Sequence, residues 1–108
     1  GPYFMNIIID GKVIGNKNYA DLVGKTANNV PLAEFYSPEI LTSIEESFIE
    51  GYRIGHYERI FPVTSSDGVT RDIAWHRYFP KDMPGLPKGI TVGFGTDAIT
   101  AGHKRRKG

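Results

Sequence analysis

The residues best placed to do chemistry fall on two neighbouring extended segments. Trp75, Arg77 and Phe79 share the alternation of Ile73, so if Ile73 faces a core, Arg77 does too. A buried arginine without a partner is costly and requires a carboxylate or an anionic ligand. Tyr57, Arg59, Phe61 and Val63 give the preceding segment a similar mix. Two readings are open. In one, Arg77 or Arg59 holds an anionic small molecule beside Trp75 and Tyr57. In the other, which is simpler, Arg77 pairs with a glutamate on a helix or reaches solvent at the rim of a sheet. Phe35, Tyr36, Leu41, Ile44 and Phe48 read as core residues, and they line a cavity if one exists.

The remaining candidates are weaker. The chain has three histidines, His56, His76 and His103. Two of them sit on segments that can pair, but no metal-ligand spacing appears and exposed strand histidines are the simpler reading. Glu45 and Glu46 point about 100° apart on a helix, so they cannot share one substrate and read as a solvated face. Phosphate-loop and nucleophile-elbow motifs are missing, and nothing supports catalysis by this chain. With no cysteine, thiolate nucleophiles, cysteine-ligated zinc and covalent cysteinyl–flavin chemistry are excluded. Non-covalent flavin stays open, since it needs only hydrogen-bond donors and an aromatic wall.

The elements that position these residues are legible in outline. Phe4–Ile9 and Lys12–Gly15 read as strands joined by Asp10-Gly11, a strong hairpin turn. Asn16 caps a short helix through Leu22, which Gly24 ends. Lys25 to Tyr36 reads as loop with one or two helical turns, including Leu32–Tyr36. Ser37-Pro38-Glu39 opens an amphipathic helix with Ile40, Leu41, Ile44, Phe48 and Ile49 on one face, spanning Glu39–Glu50 and closed by Gly51. Three further strands come after it: His56–Val63, Val69–Phe79 and Gly89–Thr96. The first two are joined at Ser65-Ser66-Asp67-Gly68, and Pro80–Lys88 is an exposed loop. The expected fold class is α+β: a five-stranded antiparallel sheet with the helices inserted between strands 2 and 3 and covering one face.

At 108 residues the chain suits one domain, and its longest apolar run, Ile7-Ile8-Ile9, is too short to cross a bilayer. The net charge is +1. The basic tail Lys104-Arg105-Arg106-Lys107 holds four of the thirteen basic residues, so nine face twelve acidic ones in the body. Such a body is a poor general binder of nucleic acid. The expected division is a domain over 1–102 and, over 103–108, a basic tail or the first turn of a helix leading to another domain.

Three sequence words in this order resemble the PAS family of sensory domains. Asn16-Lys17-Asn18-Tyr19-Ala20-Asp21-Leu22-Val23-Gly24 is similar to the family's Asn-x-x-aromatic-x-x-Leu-x-Gly. Asp67-Gly68-x-x-Arg71 is similar to its Asp-Gly-x-x-Arg hairpin. Gly89-Ile90-x-x-Gly93-x-Gly95-Thr96-Asp97-x-x-Thr100 resembles its last strand and exit motif, with one residue more than the usual Asp-Ile-Thr.

The resemblance implies a sensory domain; the expected location is cytoplasmic, in a parent protein that is either soluble or membrane-anchored. It implies a cavity between helices and sheet whose candidate lining is Phe35, Tyr36, Phe48, Tyr57, Ile73, Trp75 and Arg77. It implies a signal exit at Asp97 and Thr100, and an output domain in the same parent chain, a histidine kinase or else a diguanylate cyclase. Haem-binding members carry an axial histidine on the long helix; Glu39–Glu50 has none, so haem is not expected. The implied partners are a second copy in a homodimer and a small-molecule ligand. The alternative is an interaction module that fills its own cavity and dimerises through the outer sheet face and the Tyr3-Phe4-Met5 edge.

Overall fold

The computed structural model describes residues 3–65, 67–81 and 89–98. Thr100, the basic tail and most of the expected Pro80–Lys88 loop lie outside the described residues. The opening hairpin forms as the pattern predicts. β1 (Phe4–Ile9) and β2 (Lys12–Gly15) pair antiparallel. Asp10 and Gly11 take φ of 51° and 76°, the positive values that a tight two-residue hairpin needs.

Helix α1 (Lys17–Val23) starts at the Asn16 cap. The Asn16 Oδ1 accepts from the Tyr19 backbone N–H at 2.8 Å and from that of Met5 at 3.3 Å, while its Nδ2 donates to the Tyr3 carbonyl at 3.1 Å. One side chain therefore satisfies an open helix donor and ties the helix start to β1.

The segment after α1 departs from expectation. Asn28–Pro31 is a strand, β3, on the free side of β2, with Asn29 at φ 62° and a register shift opposite Val13 and Ile14. The sheet thus has six strands, not five. The residues of β3 are poor strand formers, and only a short edge strand accepts a proline and a left-handed asparagine. A single 3-10 turn, Leu32–Glu34, leads on from it.

Helix α2 also corrects the expectation. It runs Pro38–Ile54, with Ser37 capping the Ile40 N–H, and ends at Gly55 rather than Gly51. Gly51 is buried inside the helix because the Phe79 ring packs against it. A Cβ at Gly51 would lie 2.1 Å from Phe79 Cε1. The glycine is a packing device here, not a stop.

Strands β4 (His56–Thr64), β5 (Thr70–Tyr78) and β6 (Ile90–Asp97) complete one antiparallel sheet of order β3-β2-β1-β6-β5-β4. The helices cover one face. Phe4, Ile8, Val13, Tyr19, Leu22, Leu32, Ile44, Val63, Ile73 and Trp75 form the core beneath them. On β6 the covered face is the small one. Thr91, Gly93 and Gly95 are buried, whereas Phe94 on the opposite face is 41% exposed.

Gly51 offers a test of this packing. Alanine in a helix interior gains about 1 kcal/mol of propensity over glycine, yet overpacking a core costs about 1–3 kcal/mol. Gly51→Ala is expected to lower the urea midpoint. A raised midpoint would show that Phe79 does not hold the helix at this point.

Candidate ligand site around Arg77

A single cross-sheet row builds the site. Gly15 of β2, Asn6 of β1, Gly93 of β6, Arg77 of β5 and Tyr57 of β4 are successive register partners. All of them point to the helix-covered side. Gly93 sits between Asn6 and Arg77 and lets the arginine lie flat across β6, for a Cβ there would be 2.2 Å from its Nη2. The guanidinium then donates through Nη2 to Asn6 Oδ1, and through Nη1 to Thr91 Oγ1 at 3.4 Å. Thr91 passes the chain on by donating to the Tyr78 carbonyl at 2.9 Å. Gly95 provides the same clearance for Trp75 one row along.

Arg77 is only 3% exposed. It pairs with no helix glutamate and does not reach the rim, so the simpler sequence reading is overturned. The physical reason is the missing side chain at Gly93, which opens a path inward rather than outward. Its hydrogen-bond partners are neutral, and its aromatic neighbours are Phe48 and Trp75, with ring centroids at 5.4 and 5.6 Å from Cζ. Burial pushes its pKa down from the ordinary value, and a guanidinium still keeps its charge at physiological pH. Arg59, the other candidate, is exposed and lies over the Tyr57 ring at 5.4 Å.

Beside Arg77 is a cavity of about 20 Å³, room for roughly one water. Of the candidate lining residues, Tyr36, Phe48, Tyr57, Trp75 and Arg77 meet there. Phe35 and Ile73 do not. Phe35 packs edge-on against Tyr19 and Tyr36, and Ile73 is fully buried in the core. Asn6 is a site residue that the sequence pattern did not single out, although a polar residue at the parity of Phe4 and Ile8 was the available signal. Asp97 ends β6 opposite Ile73. His76 is partly exposed on the outer face with Nδ1 3.0 Å from Glu58 Oε1, and His56 stacks on Tyr78 there. Among the described residues no three His, Cys, Asp or Glu side chains converge to hold a metal.

Tyr36 and Tyr57 are the tyrosines that line the cavity, and Tyr19 stands behind Tyr36. Tyr19 and Tyr36 share a hydrogen bond of 2.7 Å. Burial holds the phenols of Tyr19, Tyr36 and Tyr57 above the ordinary value near 10, while Arg77 pulls the other way.

Solved structures with the same architecture are PAS and LOV domains. A PAS domain from Colwellia psychrerythraea superposes with a TM-score of 0.70 at 18% identity, covering 88% of this chain and 85% of that one. The PAS domain, in complex with ethanol, of a LuxR-family transcriptional regulator from Burkholderia thailandensis gives 0.70 at 13% identity, covering 92% and 91%. The fold is that of a PAS domain. The LOV domain of a blue-light-activated histidine kinase from Erythrobacter litoralis gives 0.63 at 15% identity, covering 90% and 96%. No protein-family model and no curated protein matches the chain. β3 adds an edge strand beside β2, a sixth where five were expected.

The buried phenols carry a pH prediction. A folded pKa above the unfolded one means the native state holds the proton more tightly, so stability is complete below pH 10 and falls as pH rises above it. Absorbance titration at 295 nm is expected to show these tyrosines ionising only as the fold is lost. Ionisation of all tyrosines near pH 10 in a protein that keeps its native circular dichroism would contradict this.

Proposed function

We propose that this chain is the sensory domain of a multidomain signal-transduction protein and that it receives a small anion at Arg77. A single observation carries the reading: a buried guanidinium, hydrogen-bonded to the neutral groups of Asn6 and Thr91, next to a cavity. Taking a cation out of water costs several kcal/mol even after relaxation. Neutral acceptors and ring faces offset part of that cost, and an anion offsets more. The ethanol complex of the Burkholderia PAS domain is consistent with a small guest in such a fold. The parent protein is proposed to be a sensor histidine kinase, as for the Erythrobacter neighbour. A diguanylate cyclase is the alternative output. The domain itself is proposed to be non-catalytic and to work in the cytoplasm. Among the described residues no helix is long and apolar enough to cross a membrane.

A second reading, homodimerisation through the outer sheet face, is favoured by Ile14, Ile60, Tyr78 and Phe94, which are 41–48% exposed there. The Tyr3-Phe4-Met5 edge contributes less than its composition suggests, because Phe4 points inward and is buried.

Thermal melting with formate, acetate and propionate tests the anion reading. Ligand at about 100 times its dissociation constant adds about 2.7 kcal/mol, or roughly 10 °C in melting temperature for a domain of this size. Asn6→Asp places a carboxylate on Arg77 and is expected to remove the response while the protein stays folded. No shift with any of the three anions, or an undiminished shift in Asn6→Asp, overturns the reading.

A further inference from the structure

The inner row of β1 continues past the Arg77 cavity. Asn6 and Ile8 share one face of β1, and Asp10 opens the hairpin turn that follows the strand. Asn6 and Ile8 line the small cavity at Arg77. Ile8 and Asp10 line a second and larger one, a groove of about 430 Å³ between the hairpin turn, the 3-10 turn and α2. That volume lies in the range of small-molecule sites, about 300–1,000 Å³. Ile8, Leu32 and Phe48 line both cavities, so the two are adjacent and share these side chains as a common wall. The groove is apolar along Pro31, Leu41 and Phe48, and its ionisable groups are the carboxylates of Asp10 and Glu45 and the Tyr52 phenol. Neither carboxylate forms an ion pair among the described residues.

We infer that the two cavities are halves of one site, built for a zwitterionic aliphatic ω-amino carboxylate. Its carboxylate meets Arg77 and Asn6, its methylene chain crosses Ile8 between Leu32 and Phe48, and its ammonium meets Asp10 and Glu45. This rests on Arg77 as the anion receptor. The charge order supports it: a buried cation at the closed end, apolar walls between, and two carboxylates at the outer end. Asn6 and Asp10 stand four residues apart, at most about 13 Å of backbone at roughly 3.3 Å per residue. Contacts of about 3 Å at each end leave about 7 Å between the ligand's charges, the reach of a chain of about five methylenes. Admission requires the Phe48 ring to swing off the guanidinium, and Phe48 is carried by α2.

Isothermal titration calorimetry of the chain with 6-aminohexanoate, hexanoate and hexylamine tests this. The amino acid is expected to bind at least about tenfold more tightly than hexanoate, the size of gain that one well-placed ion pair can supply. Asp10→Asn with Glu45→Gln is expected to abolish that gain by weakening 6-aminohexanoate, with hexanoate binding no more weakly than before. Both positions are exposed, and asparagine tolerates the positive φ at position 10, so the double variant folds. Equal affinity for hexanoate and 6-aminohexanoate, a gain that survives in the double variant, or hexylamine binding more tightly than both would overturn the bipartite site and leave the anion reading standing. Silence from hexanoate and 6-aminohexanoate, with formate and acetate silent too, would overturn both.

Discussion

The arrangement of the interior depends on a guanidinium laid across a glycine. Arg77 reaches Asn6 only because Gly93 between them has no side chain. Once it lies there, the groups around it are constrained. Thr91 must turn its hydroxyl toward the arginine and the Tyr78 carbonyl. Trp75 needs the same clearance over Gly95. Phe48 presents its ring to the cation from the helix side. A buried ion pair is often no better for stability than apolar residues of similar volume, and this buried cation has neutral hydrogen-bond partners. Stability alone is therefore a weak explanation for an arginine at this position. The proposed charge-discriminating site gives the arginine a reason that stability does not.

The secondary structure serves that row. Asn16 fixes α1 to β1 and so places Tyr19 over Gly15, at the end of the row away from Arg77. Gly51 lets α2 settle against Phe79, which sets the height of Ile44 and Phe48 above the sheet. The Phe79 ring meets Phe48, Tyr52 and Tyr57 edge-on at 4.8–5.5 Å. This aromatic block supports the wall of the site without contributing a polar atom to it.

Local chemistry was legible in the sequence, and contacts between distant segments were not. The Asp10-Gly11 turn, the Asn16 and Ser37 caps and the alternation that turns Arg77 inward are set by neighbours in the chain, and each is present in the fold. β3 escaped because its residues are strand-poor and its existence depends on the free edge of β2. The end of α2 was misplaced because Gly51 resembles a stop, and only Phe79, 28 positions later, shows that it is a packing glycine. The site divides in the same way. Tyr57, Trp75 and Arg77 were found from parity. Asn6 and Gly93 belong to the site only through strand register, which no local pattern specifies. Phe35 and Ile73 were included because aromatic and β-branched residues read alike whether they line a cavity or fill the core.

Position also decides how an anion at Arg77 could be felt elsewhere. A ligand shifts a protein between states only through a difference in affinity for them. The element able to supply that difference is Phe48, which shares the guanidinium with any anion and rides on α2. With the ring against Arg77 the cavity is small and the cation is partly satisfied. Were the proposed anion to displace the ring, α2 would have to accommodate a side chain that has lost its place among Tyr57 and Phe79. The strand that Arg77 lies across is β6, in the middle of the sheet between β1 and β5, so the same guanidinium touches the Phe48 ring of α2 and a central strand. Coupling between them would need no long pathway, because one side chain already contacts both.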